Sequence, residues 1–389
     1  MSETLSRRDF LKYAGVLTAA SLTGSGKGLD AYSSSAFPAS REGKAGGRLP
    51  SQRHLQEAKF YRRLEGNRIQ CQLCPWYCTV ASNERGRCGA RENQGGTYYT
   101  MVYGKVAAQR IDPIEKDPLH HVRPGLKTFA IATAACNLVC AYCQSWQLSQ
   151  SRPEDVQSVY LQPEQVVQLA KARGCGGIAY TYTEPVNFIE YATDVAAVAR
   201  RAGLLNICHT DAYINPEPLD YLCAHMDAIN VDLKGFTEKF YQEVCGGHLK
   251  PVLEAIKQIK QRGTWLELTY LVLPTLNDKE ADVRRMCEWI QTELGPDTPL
   301  HFTRFFPQYK LRNLPATPVK TLEAMRKIAF RSGLRYTYIG NVPGHGGEST
   351  YCPCCGLRLI WRVSYRVREV ILRQGRCPRC REEIPGLWA

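Results

Sequence analysis

Short apolar runs alternate with amphipathic helical patterns between residues 128 and 339. Repeated β-α units predict a parallel sheet with helical crossovers, and polar residues then collect at the carboxyl ends of the strands. Six or seven units are too few for a closed eight-fold barrel, so we predict an α/β protein with an open, partial (β/α)6 barrel. The apolar runs lie at 128–134, 176–182, 204–209, 228–233, 265–273, 299–306 and 334–339, and the helical patterns at 163–173, 187–203, 215–226, 250–262, 279–294 and 320–332.

The amino-acid composition changes on both sides of this alternating region. A Ser-, Gly- and Arg-rich stretch comes first, a Cys-rich segment follows it, and a short Arg-rich segment bracketed by two Cys pairs ends the chain. We therefore predict four regions: a leader and linker at 1–53, a Cys-rich N-terminal segment at 54–124, the barrel at 125–347 and a mini-domain at 348–389.

The leader contains Arg7 and Arg8 in the stretch Ser-Arg-Arg-Asp-Phe-Leu-Lys, which is a twin-arginine pattern. A short, weakly apolar stretch from Tyr13 to Leu22 follows it. We interpret 1–53 as an export signal of the twin-arginine (Tat) type with its linker, and the stretch is too short for a transmembrane helix. The alternative is a disordered basic tail that carries two arginines by chance.

Charge argues against a nucleic-acid-binding protein. The chain has a net charge of +13, but nine of these excess positive charges lie in residues 1–53 and 352–389. The centre is only mildly basic, and we find no RNA-module motif. A protein that modifies or binds RNA through its metal sites remains an alternative.

The chain has 17 cysteines, and eleven of them form three clusters. Disulfide frameworks belong to short, loop-rich chains, so clustered cysteines in this long chain indicate metal thiolates. Five cysteines scattered among apolar residues are expected to be small buried side chains, and Cys354 is a spare in the last cluster. The scattered five are Cys175, Cys208, Cys223, Cys245 and Cys287.

The central cluster consists of Cys136, Cys140 and Cys143, directly after the first predicted strand of the barrel. Four thiolates normally close an iron–sulfur cluster, so three indicate a cluster with one iron open to another ligand. A zinc site with a distant fourth ligand is the alternative interpretation.

This C-x3-C-x2-C spacing, with the aromatic Tyr142 before the third cysteine, resembles the radical S-adenosylmethionine (SAM) superfamily. The resemblance implies a partial (β/α)6 TIM-like radical SAM barrel and a [4Fe-4S] cluster on the three cysteines. It further implies reductive cleavage of SAM to a 5'-deoxyadenosyl radical, which abstracts hydrogen from an unknown substrate. A low-potential electron donor is then required as a partner.

Residues at other predicted strand ends resemble the superfamily's SAM contacts. Thr183 and Glu184 match the segment near the SAM amino group, and Asp232-Leu233-Lys234 matches the D-L-K motif of glycyl-radical-enzyme activases. His301 resembles a strand-end histidine near the ribose, while the segment around Asp211 departs from the activase pattern. No catalytic residue is assigned. The expected cofactor contacts are Tyr142, Thr183, Glu184, Asp211, Asp232, Lys234 and His301.

Motifs along residues 55–389 resemble a narrower family, the AmmeMemoRadiSam-system radical SAM enzymes, which are similar to pyruvate formate-lyase activating enzymes. That name implies Memo-like and AMMECR-type partner proteins but supplies no substrate, which remains an unknown protein or small molecule. A glycyl-radical-enzyme activase proper is the alternative function. The motifs include Cys71-Gln72-Leu73-Cys74-Pro75, Gly86-Arg87-Cys88-Gly89, Asp112-Pro113-Ile114-Glu115-Lys116, Tyr351-Cys352-Pro353 and Ile384-Pro385-Gly386-Leu387-Trp388.

The two outer cysteine clusters carry separate expectations. Cys352, Cys355, Cys377 and Cys380 have the spacing C-x2-C-x21-C-x2-C, which predicts a structural zinc ribbon. The spacing of Cys71, Cys74, Cys78 and Cys88 suits either zinc or a second iron–sulfur cluster.

Two features of the sequence give conflicting indications of where the protein is located. The Tat-type leader indicates the cell envelope or periplasm, whereas SAM and low-potential electron donors are normally cytoplasmic. A cytoplasmic location is therefore the alternative.

Overall fold

Eight strands form one mixed sheet at the centre of the computed structural model, which describes residues 55–388. The strand order is β8-β7-β6-β5-β4-β3-β2-β1, so neighbours in sequence are neighbours in the sheet. Strands β2 to β8 are parallel, and β1 pairs antiparallel with β2. The strands are β1 (Ala108–Pro113), β2 (Lys127–Ala132), β3 (Gly177–Tyr180), β4 (Leu205–Thr210), β5 (Ala228–Asp232), β6 (Trp265–Val272), β7 (Leu300–Arg304) and β8 (Thr337–Gly340).

One main helix connects each pair of successive parallel strands. The prediction of an open, partial (β/α)6 barrel is confirmed, because β1 and β8 stand at opposite ends of this sheet and do not pair within the described residues. The antiparallel β1 comes from the segment that we assigned to the Cys-rich region. The helices are α1 (Pro163–Ala172), α2 (Ile189–Arg201), α3 (Pro216–Cys223), α4 (Leu249–Gln261), α5 (Glu280–Leu294) and α6 (Val319–Arg331).

Burial explains the two hydrophobic patterns. All four residues of β3 are buried, as expected for a parallel strand covered on both faces. Helix α4 instead buries one stripe, Val252, Ala255, Ile256 and Ile259, which recurs every three or four residues. The five scattered cysteines are all buried, as predicted.

Short strands build the region before β1. Its hydrophobic side chains, such as Ile69, Leu73 and Tyr98, belong to the same core as the barrel helices. One three-stranded sheet contains Gln56–Glu57, Arg91–Gln94 and Thr97–Thr100, a second contains Tyr61–Arg63, Ile69–Cys71 and Thr79–Val80, and Lys105–Val106 pairs with Val159–Tyr160.

The C-terminal segment forms a three-stranded antiparallel sheet of Thr350–Tyr351, Arg358–Val363 and Arg366–Val370. Its small core includes Leu359, Ile360 and Ile384 together with Tyr336 and Tyr338 near β8. The predicted mini-domain is therefore packed directly against the barrel.

The predicted leader at 1–53 lies outside the described residues. Within 55–388, no helix is long and apolar enough to cross a membrane.

A buried ion pair joins the Cys-rich region to the barrel. The Arg91 guanidinium contacts the Glu190 carboxylate of α2 at 2.7 Å, and both side chains are almost fully buried. Glu190 also accepts a hydrogen bond from the backbone N–H of Lys59 at 2.7 Å. Removing one member of such a pair leaves the other charge buried without a partner.

We therefore expect Arg91→Met to lower the free energy of unfolding by about 3–5 kcal/mol, measured by urea denaturation of the metal-loaded chain. The matched control is Arg262→Gln, which removes an exposed partner of Asp220 and should shift the midpoint far less. Equal shifts in the two variants would contradict a special role for the buried pair.

Candidate active site

A cavity of about 300 Å³ lies at the carboxyl ends of the parallel strands. This is where the β-α pattern predicted the chemistry, because the ends of parallel strands meet at one edge of the sheet. Every sequence-predicted SAM contact and all three central cysteines line this cavity. The lining includes Cys136, Cys140, Tyr142, Cys143, Thr183, Glu184, Asp211, Asp232, Lys234 and His301.

The cluster loop, residues 136–143, follows β2 and is held by its neighbours on two sides. The side-chain oxygen of Asn187, in the orientation that satisfies its donors, accepts the backbone N–H groups of Cys136 and Asn137 at 3.0 and 3.1 Å. The N–H groups of Val139 and Ala141 donate to the carbonyls of Cys245 and Val244, each at 2.9 Å. The loop conformation is therefore fixed by hydrogen bonds from two other strand-end segments.

Gly246 allows this close contact. It has φ +71°, and a Cβ atom there would lie 2.3 Å from Cγ2 of Val139. A larger residue would combine a strained backbone with a clash against the cluster loop.

The three thiols lie in an environment that keeps them protonated unless a cation is bound. Burial raises the pKa of Cys136, and the nearby Asp211 and Glu184 carboxylates raise it further. A hydrogen bond with Cys245 and burial raise the pKa of Cys140. Metal binding therefore has to displace protons here, as is general for thiolate ligands. Three thiols around one cavity fit a cluster with an open iron. These three do not have the spacing for a single ion, which only the C-terminal thiols meet within residues 55–388.

Glu184 is committed to internal hydrogen bonds. Its carboxylate accepts from the Thr210 hydroxyl at 2.6 Å, from the Asp211 N–H at 2.8 Å and from the Val186 N–H at 3.0 Å. It caps the short helical turn Pro185–Phe188, and burial followed by Asp211 raises its pKa well above the ordinary range. Glu184 therefore stabilises the conformation of the strand ends in addition to lining the cavity.

Asp211 is also close to the cluster loop. One carboxylate oxygen lies 3.7 Å from Sγ of Cys136, and the other accepts from the Tyr213 N–H at 2.9 Å. Thr183 donates its hydroxyl to the Thr133 carbonyl at 2.9 Å, which ties the end of β3 to the end of β2.

Asp232 joins two cationic side chains. Its oxygens lie 3.0 Å from Nζ of Lys234 and 3.0 Å from Nε2 of His209. Asp117 lies 3.8 Å from the other ring nitrogen of His209. Burial lowers the pKa of His209, but the Asp232 and Asp117 carboxylates outweigh it and raise the pKa to about 10. The sequence did not identify His209 as a site residue.

His301 lies at the bottom of the cavity in a fully buried network. Its Nε2 is 2.7 Å from the Glu267 carboxylate, and its ring packs against those of His120 and Tyr338. Glu267 also accepts the backbone N–H groups of His120 and His121. Glu267 was missed by the motif analysis, although a lone acid inside the apolar strand β6 is a signal that would have found it.

Cys245 is another side chain that the sequence did not assign to the site. Its sulfur lies 3.7 Å from the Tyr142 hydroxyl, and its proximity helps to raise the pKa of Cys140. Tyr142 is thus oriented toward Cys245 behind the cluster loop. Cys245 ends a π-helical turn, Tyr241–Cys245, a feature that is frequent at functional sites.

The four thiols of the C-terminal segment, Cys352, Cys355, Cys377 and Cys380, converge on one point. All four sulfurs lie within 4.8 Å of one another, and they are the only His, Cys, Asp or Glu group within 55–388 that meets this spacing for a single ion. The two closest pairs are 3.4 and 3.6 Å apart. Zn–S bonds of about 2.3 Å give such distances in a tetrahedral site, so the donor set fits zinc.

This segment also forms part of the cavity wall. Ser364 and Tyr365 line the cavity, and the fully buried Arg362 donates to the His120 carbonyl at 2.7 Å and pairs with Glu115 at 3.4 Å. One of the eight arginines of residues 352–389 is therefore a buried anchor for the segment.

Comparisons with known proteins agree with this geometry. The family model described as Radical SAM superfamily matches residues 131–287, and the model of the TAT (twin-arginine translocation) pathway signal sequence matches residues 4–24. The match at 4–24 supports the predicted leader and indicates export.

The chain is 44% identical over 332 residues to an uncharacterised protein of Methanocaldococcus jannaschii, covering 85% of this chain and 99% of that one. It is 19% identical over 217 residues to the pyruvate formate-lyase-activating enzyme of Clostridium pasteurianum, covering 52% and 90%. A solved radical SAM methyltransferase from Sphaerobacter thermophilus is 12% identical with a TM-score of 0.46, covering 58% and 70%.

The paired carboxylates around His209 lead to a pH prediction. Because the pKa in the folded chain is about 10 and the ordinary value is 6.5, His209 should remain protonated from pH 7 to pH 9. Its stabilising effect is complete below the ordinary value and is lost as the pH rises through about 10. Imidazole NMR titration should show a high midpoint that Asp232→Asn lowers, and a midpoint near 6.5 in the unmodified chain would contradict the pairing.

Proposed function

The chain belongs to the radical SAM superfamily, and from that premise we propose that Cys136, Cys140 and Cys143 hold a [4Fe-4S] cluster. When bound, this cluster supplies one electron that cleaves SAM to methionine and a 5'-deoxyadenosyl radical, which abstracts hydrogen from the substrate. The observation that carries the proposal is the shared cavity, in which three thiols face the charged strand ends. A cluster bound by three thiolates has one iron without a protein ligand.

We assign the charged residues to the binding of SAM. Lys234 provides an ammonium group for the SAM carboxylate, and Asp232 orients it at 3.0 Å. Asp211, beside Cys136, is the best-placed acceptor for the SAM amino group, because all three contacts of Glu184 are internal. His301 closes the deep end of the cavity, where its imidazole is held by Glu267.

The substrate side of the cavity is formed by other elements. Asp112, Lys116, Asn341 and Tyr365 line it, and the hydroxyl of Tyr365 donates to the Asn341 side chain at 2.8 Å. Structural zinc on the C-terminal thiols would hold Tyr365 in this wall. The substrate, a protein or a small molecule, therefore contacts the C-terminal segment.

The motifs quoted above support membership of the AmmeMemoRadiSam system, with Memo-like and AMMECR-type partners and a low-potential electron donor. Activation of a glycyl-radical enzyme is the second candidate function. It is favoured by similarity to a pyruvate formate-lyase-activating enzyme over 90% of that enzyme's length.

Anaerobic reconstitution followed by a SAM-cleavage assay tests the proposal. The reduced chain should form 5'-deoxyadenosine. Replacing Cys136, Cys140 and Cys143 by Ala should abolish the formation of this product, since the cluster has no spare ligand. Cys354→Ser, which changes an exposed cysteine outside the four-thiol group, is the matched control. A fully iron-loaded chain that forms no 5'-deoxyadenosine would refute the function.

Lys234→Ala should keep its iron but bind SAM about 10- to 100-fold more weakly, because a charge-assisted contact worth roughly 1.5–3 kcal/mol is lost. Equilibrium binding of SAM measures the effect, with the exposed Lys171→Ala on α1 as the control. Unchanged affinity in Lys234→Ala would remove this residue from the SAM site.

A further inference from the structure

We propose that Cys71, Cys74, Cys78 and Cys88 hold a second iron–sulfur cluster, which passes electrons to the cluster loop. We call these four residues the N-terminal thiol set. The electron-transfer role rests on the proposed function, whereas the identity of the metal does not.

The spacing of the thiols separates this set from the zinc-like set. A tetrahedral zinc site brings its four sulfurs to about 3.8 Å of one another, since each Zn–S bond is about 2.3 Å. The C-terminal thiols satisfy this geometry, with all four sulfurs within 4.8 Å. No three thiols of the N-terminal set do so in the described chain, and neither do the three of the cluster loop. In this respect the N-terminal set resembles the three thiols of the cluster loop and differs from the zinc-like set.

The segments that carry the thiols are in contact and partly shielded from water, since the Cys71 N–H donates to the Cys78 carbonyl at 2.9 Å. Cys71 and Cys74 are buried, while Cys78 and Cys88 are partly buried. Exclusion of water is one of the factors that tune an iron–sulfur cluster.

Arg91 places a buried positive charge next to the set. That charge is paired with the Glu190 carboxylate of α2 at 2.7 Å, so the strand Arg91–Gln94, which follows Cys88, is held against the barrel.

Direct contacts connect the N-terminal set to the cluster loop. The indole N–H of Trp76, between Cys74 and Cys78, donates at 2.9 Å to the carbonyl of Asn137, between Cys136 and Cys140. Asn215, beyond β4, donates its N–H to the Leu73 carbonyl at 3.0 Å and its amide to the Gln72 carbonyl at 2.7 Å. The two cysteine sets are thus joined through one indole side chain and one hydrogen bond.

A second cavity of about 650 Å³ has both Cys88 and Cys136 in its wall. Its lining also includes Arg87 and Arg152, and the Arg87 guanidinium lies 3.7 Å from the Trp76 ring centroid. A structural zinc site is not required to share a cavity with the cluster loop. A redox centre, in contrast, has to lie close to the cluster that accepts its electron.

The electron balance is simple. A low-potential one-electron donor reduces the N-terminal cluster by one electron and is itself oxidised. The N-terminal cluster then returns to its oxidised state as that electron moves to the cluster loop. No atom is transferred and no bond forms or breaks in either step.

Metal analysis of the full chain with Cys136, Cys140 and Cys143 all changed to Ala tests the identity of the cluster. After anaerobic reconstitution this variant should retain roughly two to four iron atoms, matching sulfide and about one zinc. Its EPR signal after dithionite reduction should not respond to SAM. About two zinc atoms and no iron would overturn the proposal.

A second variant, Cys78→Ser, changes the set at a partly exposed position and leaves the cluster loop intact. It should lose the additional iron yet keep the SAM-responsive EPR signal, with Cys354→Ser as the control. After mixing with a reduced ferredoxin, rapid-freeze EPR should show this signal forming more slowly than in the unmodified chain. Equal rates would overturn the electron-transfer role.

The two proposals fail in different ways. A chain that forms 5'-deoxyadenosine with iron only at the cluster loop and two zinc atoms elsewhere would refute the second cluster and leave the function standing. If the triple variant retains iron but the unmodified chain cleaves no SAM, the second cluster stands and the proposed function is refuted.

Discussion

Parallel pairing of β2 through β8 is the constraint on which the site depends. Each helical crossover returns the chain to the same end of the sheet, so every segment that leaves a strand begins at one edge. Residues as far apart in sequence as Cys136 and His301 therefore face one cavity. The open sheet also leaves its two ends available, and β1 and the C-terminal segment occupy positions beyond β2 and β8. The C-terminal segment consequently contributes Ser364 and Tyr365 to the wall of the cavity.

Two buried charge pairs make these attachments specific. Arg91 reaches Glu190 on α2, and Arg362 reaches Glu115 after β1, with all four side chains shielded from water. A buried charge is tolerated only with its partner in place, so neither outer segment can shift without a large electrostatic cost. Both segments also carry thiol sets whose ligands must be deprotonated for metal to bind. Metal loading and docking on the barrel are therefore expected to be coupled, because each fixes the same short strands.

The sequence predicted the features that depend on local pattern, namely the crossovers, the open sheet and the cluster-loop cysteines. It did not predict the partners of Glu267, because its contacts to His120 and His301 join residues 34 to 147 positions apart. We placed residues 108–113 in the Cys-rich N-terminal region and predicted no strand there, since composition does not reveal that a segment pairs with the barrel sheet. It likewise gave no indication that Arg362 is buried, because one arginine in an Arg-rich stretch resembles its solvated neighbours.

The strand ends show why the cluster loop needs so much support from the protein. Ala135, Tyr182 and Ala212 follow β2, β3 and β4 with positive φ, a conformation that is costly for residues other than glycine. Such backbone persists only where surrounding contacts determine it: the Ala135 N–H donates to the Leu148 carbonyl and the Ala212 N–H to the Thr210 hydroxyl, each at 3.0 Å. The geometry of the three thiols is thus set by hydrogen bonds that do not involve metal. A loop whose backbone is fixed in this way holds Cys136, Cys140 and Cys143 on one wall of the cavity.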